Sequence, residues 1–361
     1  MQHAMSKPLH LPDLTIKGFR GIDQLTIPRL GRVTLLAGKN AVGKSTVLEA
    51  VRLFASRGRS SAVAEVLRHR QEVYMASDGD GKRASTLDAI ALFHGRSVEN
   101  AEVEIGPKLD QQLRIKITSL VQERGTLQDH FQPVSGISVE FCGSKQVHWN
   151  VPREDLPELS QRLPKDDKPV PEIRCEQVGP EVLGEHAMAR IWDGVALTAA
   201  ADQATHAIEF VMDTSVLGVA LIGDGESNSV RRAVVRLKDQ ERPVPLKSLG
   251  DGAVRLFGVA LALANSRGGF LLIDEAENGI HHSIQYDLWK MILRIAQQND
   301  VQVLATTHSW DCVRGFAYAA AEYGEAEGVL VRLDRDDRGL RAVEYSEEDL
   351  KIAADQGIEV R

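Results

Sequence analysis

Eight consecutive residues constrain this chain more than any others. Gly38, Lys39, Asn40, Ala41, Val42, Gly43, Lys44 and Ser45 fit the pattern G-x-x-x-x-G-K-S/T. Before them, Arg32 to Ala37 is an apolar run of strand length. After them, Lys44 to Ser56 has helical periodicity with Thr46 in its first turn. A glycine-rich turn between a buried strand and a helix lets main-chain N–H groups curl around an anion. The helix N-terminus adds partial positive charge. A lysine there reaches terminal phosphates, and a serine hydroxyl is a ligand for Mg²⁺. The chain is therefore expected to hold a nucleoside triphosphate, with Gly38 to Thr46 as the cradle.

Three further segments fall in an order that such a site needs. Gly269 to Glu275 is an apolar strand ending in two acids. Asp274 is expected to hold Mg²⁺, and Glu275 to polarise the attacking water as a general base. Val301 to Thr307 is a second buried strand, ending at His308. On a neighbouring parallel strand, His308 would stand beside the terminal phosphate. Upstream, Ser248, Leu249, Gly250, Asp251 and Gly252 precede a helix over 252–264. A serine and glycine amides at a helix N-terminus suit a phosphate, here one held by another copy of the chain. Catalysis is thus expected from Lys44, Glu275 and His308, with Ser248, Gly250 and Gly252 acting in trans.

The last third alternates strand and helix, which points to a parallel sheet covered by helices. Helices are expected over 61–75, 283–297 and 309–322, and one capped by Thr198. Strands are expected at 14–19, 25–27, 113–118, 137–141 and 230–237, with a hairpin around residues 329–345. Five of the thirteen prolines lie within 152–171, read as an exposed linker or lid. The expected organisation is one α/β head in two halves, residues 1–100 and 226–361, around an inserted arm at 101–225.

Composition narrows the use of such a head. Hydrophobic residues at 43% and charged residues at 26% suit a soluble globular chain. The net charge of −8 does not suggest a broad nucleic-acid surface. Cys142, Cys175 and Cys312 form no Cys-x-x-Cys pair, which fits the reducing cytoplasm. No apolar run is long enough for a membrane helix. Arg231, Arg232, Arg236 and Lys238 are read as a solvated face. Asp334, Asp336 and Asp337 are read as a hairpin turn rather than a metal-binding nuclease site. Adjacent His281 and His282 point apart on a helix and do not suggest a metal site.

The arrangement resembles the ABC ATPases of the SMC, RecF and OLD group. Ile16, Lys17, Gly18, Phe19, Arg20 and Gly21 are similar to the start of those proteins. Pro245 to Gly252, Leu271 to His281 and Ala305 to Cys312 look like stand-alone OLD-like ATPases of the AAA kind, as do Ala189 to Asp193 and Gly357 to Arg361. The resemblance implies an ABC-type head, a mixed sheet flanked by helices, that dimerises around ATP and Mg²⁺. It implies that Glu277, Asn278 and Gly279 form a D-loop touching the partner copy, and that Arg20 contacts the nucleotide. It also implies a regulatory ATPase working with a separate effector, such as a TOPRIM-like nuclease, in phage-defence pairs like PARIS. The alternative is a RecF- or SMC-like DNA-binding ATPase in repair or chromosome upkeep.

Overall fold

The computed structural model describes residues 8–77, 83–97, 101–109, 111–121, 133–149, 170–211, 215–223, 231–323, 327–337 and 339–356. Most of the 152–171 segment and the closing Gly357 to Arg361 lie outside them.

In chain order the strands are β1 (Leu14–Phe19), β2 (Ile22–Ile27), β3 (Val33–Ala37), β4 (Val73–Ser77), β5 (Arg83–Leu87), β6 (Glu102–Gly106), β7 (Leu113–Val121), β8 (Pro133–Phe141), β9 (Ser144–Trp149), β10 (Cys175–Val178), β11 (Val216–Ile222), β12 (Arg232–Leu237), β13 (Val244–Pro245), β14 (Phe270–Ile273), β15 (Gln302–Thr306), β16 (Gly328–Asp336) and β17 (Gly339–Tyr345). The helices are α1 (Lys44–Ala55), α2 (Ser60–His69), α3 (Glu185–Val195), α4 (Ala199–Ala207), α5 (Asp251–Asn265), α6 (Gln285–Gln298), α7 (Trp310–Tyr323) and α8 (Glu347–Gln356).

One sheet has the order β10-β14-β15-β3-β16-β17 and is parallel from β10 through β16. Its strands are continuous apolar runs because both faces are covered. The side chains alternate between two cores. Leu35, Leu271, Ile273, Val303 and Ala305 face α5, α6 and α7. Leu36, Phe270, Leu272, Leu304 and Val331 face α1 and α2 and a second, antiparallel sheet. That second sheet has the order β2-β1-β6-β7-β8-β9. The molecule is therefore layered as sheet, helix, sheet, helices, a P-loop α/β fold of the ABC type.

The segment expected to form an arm is woven into these layers. Strands β6 to β9 prolong the sheet begun by β1 and β2. Strand β10 pairs in register with β14, Cys175 opposite Phe270 and Val178 opposite Ile273. Met188, Ile191, Ala204 and Ala207 of α3 and α4 share the core of α5.

The expected helix over 61–75 ends early, at His69. Gln71 takes φ +55°, its N–H bonds to Arg68 O, and Glu72 N–H reaches Leu67 O. This is a Schellman turn without its usual glycine. The chain then runs on as β4, paired with β5.

Candidate functional site

The sheet order decides the site. Strand β15 lies between β14 and β3, so the ends of all three converge. After β3 the chain turns through Gly38 (φ +143°), Ala41 (φ +59°) and Gly43 (φ +119°) into α1. Alternating backbone hand over such a short span curls N–H groups inward. Gly38 has a second constraint: a Cβ there would stand 2.6 Å from Leu333 O. Lys39, Asn40 and Ala41 are exposed, while Val42 and Thr46 anchor the loop in the core. Buried Lys44 donates from Nζ to Gly38 O at 2.6 Å and Lys39 O at 3.0 Å. Burial pushes its ammonium below the usual lysine range, and Glu277, Asp274 and Glu275 partly offset this.

Asp274, one residue beyond β14, faces Ser45 across the gap between strands. Ser45 Oγ donates to Asp274 Oδ1 at 3.1 Å, and Thr306 Oγ1 donates to the same oxygen at 2.5 Å. The Thr306 hydroxyl also accepts from Glu275 N–H at 2.8 Å. A hydroxyl and a carboxylate that meet beside a loop of turned amides are the hard oxygen donors Mg²⁺ takes. The residues thus fit a magnesium-bound triphosphate. Among the described residues, no three His, Cys, Asp or Glu side chains gather as a further metal site.

Glu275 takes φ +50°. Its Oε2 accepts from Asn278 Nδ2 at 2.6 Å. The strained turn is held by Arg255 of α5, which is 1% exposed. Arg255 donates to the carbonyls of Asp274 and Glu275, both at 3.1 Å, to Glu181 O at 2.8 Å and to Gly179 O. Burial lowers the affinity of this guanidinium for its proton, against the pull of Glu277, Asp274 and Glu275. Sequence reasoning missed Arg255 and Thr306. The signal for the first was a charged residue inside a helix with twelve buried positions.

His308 follows β15. Its main-chain N–H donates to Glu277 Oε1 at 2.9 Å, and its ring Nδ1 lies 3.0 Å from that oxygen. Glu277 and Asn278, expected to face a partner copy, make these contacts within their own chain; Gly279 (φ +73°) is exposed. Ser248 and Gly250 are exposed at the start of α5, and Gly252 is half-buried. Gly250 caps that helix at φ +95°, with open space where a side chain would stand.

Arg20 is placed elsewhere than expected. At φ +52° in the β1–β2 turn, its side chain is 8% exposed between two acids. Nε lies 2.8 Å from Glu49 Oε2, as an ion pair off the hydrogen-bonding line. Nη1 donates to Glu72 Oε1 at 2.8 Å, and Nη2 to Val66 O at 3.4 Å. These contacts engage the guanidinium as a brace between α1 and the antiparallel sheet. In the basic cluster, Arg231 is paired with Asp193.

Residues 212–311 match the family described as "AAA domain, putative AbiEii toxin, Type IV TA system". Residues 9–80 match one described as "Protein of unknown function (DUF2813)". Over 112 residues the chain is 51% identical to Uncharacterized protein MJECL10 of Methanocaldococcus jannaschii, covering 31% of this chain and 42% of that protein. Over 115 residues it is 30% identical to Uncharacterized protein MJECL11 of the same organism, covering 31% of this chain and 99% of that protein. An ATP/GTP phosphatase of Helicobacter pylori is 30% identical over 89 residues, 24% of each chain. The match thus spans less than half the length of MJECL10 and about a quarter of the phosphatase. Among solved structures, the SMC head domain from Thermotoga maritima aligns with a TM-score of 0.46 at 14% identity, over 94% of this chain and 100% of that one. An SmcHead bound to the C-winged helix domain of ScpA aligns at 0.49 and 13%, over 94% and 99%. Residues 212–311 thus match an AAA-domain family, and the chain belongs to the same family as MJECL11 of Methanocaldococcus jannaschii.

Proposed function

We propose that the chain binds ATP with Mg²⁺ and hydrolyses it in sites that two copies complete together. The observation that carries this is the meeting of Ser45 with Asp274, joined by Thr306, at the mouth of the Gly38–Gly43 loop. The loop amides and Lys44 bind and orient the phosphates. Ser45 and Asp274 hold the metal, which when bound would neutralise charge on the phosphate oxygens. Glu275 takes the proton of the attacking water, and His308 contacts the terminal phosphate. The exposed turn at Ser248, Gly250 and Gly252 meets the nucleotide of a second copy.

The test is a mixing experiment. Lys44→Ala and Ser248→Arg each abolish turnover alone. Mixed, they restore part of it, because one of the two sites then combines an intact loop with an intact turn. A wild-type chain without Mg²⁺-dependent hydrolysis sinks the ATPase reading. A fully active Ser248→Arg monomer sinks the shared site.

In the cell, we read the ATP cycle as control of a separate effector protein, such as a nuclease, in phage defence. The matched AAA family is described with a Type IV TA system, which supports a two-protein role. An ATP-locked Glu275→Gln form, used as bait in the native host, should retain that effector; recovery of duplex DNA in its place would favour the repair reading.

A further inference from the structure

Two glutamates follow strand β14, and they part company. Glu275 turns its carboxylate to Asn278. Glu277 turns to His308 and meets it twice with one oxygen, at the main-chain N–H (2.9 Å) and at ring Nδ1 (3.0 Å). The Glu277 side chain is 10% exposed, and its Oε2 is buried without a hydrogen-bond partner. A carboxylate oxygen left in that state is costly, so this is not an incidental surface contact. Glu277 is also the leading acidic neighbour of both Lys44 and Arg255, which places it within the field of the phosphate site. A cap on the start of α7 would account for the main-chain bond. It would not account for the ring.

We propose that Glu277 is a positioning residue that fixes His308 as its Nδ1–H tautomer and thereby makes Nε2 the atom that meets the terminal phosphate. A carboxylate oxygen accepts only, so the ring nitrogen beside it carries the proton. An imidazole facing water favours the opposite tautomer, and the main-chain bond to the same oxygen holds ring and backbone as one unit. Orientation by an outer carboxylate is the device by which many histidines are aimed at their targets. The inference rests on the ATPase reading of the site.

The experiment is ¹⁵N NMR of the full chain labelled at histidine, with His308 assigned by His308→Gln, alongside steady-state ATP hydrolysis. The wild-type spectrum should show His308 as Nδ1–H. Glu277→Ala should move it toward Nε2–H and lower kcat on the order of tenfold, with KM for ATP changed less than about twofold. Glu277→Gln keeps an acceptor oxygen in place and should restore the tautomer and much of the turnover. It also stands in if the alanine variant fails to fold. A wild-type Nε2–H ring overturns the proposal, as does a lowered kcat in Glu277→Ala with the tautomer unmoved. A wild-type chain that hydrolyses no ATP removes the ATPase reading, while the spectrum still reports on the pair.

Discussion

Glu275 and Lys44 show how a residue's chemistry is set by what surrounds it. Glu275 is held at φ +50° by its main chain, whose carbonyl accepts from Arg255 and whose N–H donates to Thr306 Oγ1, so its side chain is aimed by neighbours rather than by its own backbone preference. Glu275→Gln keeps the shape and the bond to Asn278 and loses the carboxylate proposed as the base. Single-turnover hydrolysis should slow on the order of 10²-fold or more, with ATP binding retained. Normal turnover would remove Glu275 from the chemistry. Lys44 is buried, and its ammonium is disfavoured by desolvation even with three acids nearby. The charged form is therefore worse off in the folded chain than in the unfolded one. Lys44→Met should abolish ATP turnover while leaving the thermal midpoint of the nucleotide-free chain at or above the wild-type value. A large fall in that midpoint would mean that the lysine holds the loop together.

Helix ends were the elements hardest to read. Helices α1, α2 and α6 all close through a residue at positive φ that is not glycine, namely Arg57 (+56°), Gln71 (+55°) and Asp300 (+55°). Each helix closes with the same pair of backbone bonds, as in Gly58 N–H to Leu53 O and Val301 N–H to Ala296 O. Arg57 is compensated by stacking 4.2 Å over the Phe141 ring, and Asp300 by Arg32 at 2.8 Å. Gln71 is exposed. A non-glycine residue there costs roughly 1–2 kcal/mol, more than the roughly 0.5–1 kcal/mol of extra chain entropy that glycine loses. Gln71→Gly should therefore raise stability by up to about 1 kcal/mol in urea unfolding. A loss of stability would show that the Gln71 side chain has a role the geometry does not reveal.

The layering of the whole molecule sorts its three cysteines. Cys312 lies inside the core shared by α5, α6 and α7, and burial pushes its thiol up to about 12. The Cys175 thiol, packed against the other core, is likewise pushed up to about 12 by burial. Cys142 is exposed in the β8–β9 turn. In the native chain at mildly alkaline pH, a thiol reagent should modify Cys142 quickly, the half-buried Cys175 more slowly, and Cys312 only on unfolding. Rapid labelling of Cys312 would mean that the helical layer opens far more readily than its packing implies. No helix among the described residues is long and apolar enough to cross a membrane.

The order of motifs was enough to choose the parallel sheet and the helices that cover it, but not the antiparallel layer built in part from the expected arm. Apolar runs such as Phe270–Ile273 and Val303–Ala305 alternate with helical periods, and only a covered parallel sheet buries both. The turn at Gly38–Gly43 and its meeting with Asp274 were legible because they depend on local spacing and on backbone conformations that few residues adopt. Other contacts depended on which strand lies beside which. Thr306 joins Asp274 to Glu275 because β15 inserts between β14 and β3; Arg255 reaches both carbonyls from another element; and Glu277 turns inward to His308 rather than outward. Arg20 looked like a ligand contact because its turn is local, yet Glu49 and Glu72, far along the chain, claim its charge. Periodicity and spacing act over a few residues, whereas the partner of a buried charge is chosen by desolvation in three dimensions, which only the folded packing sets.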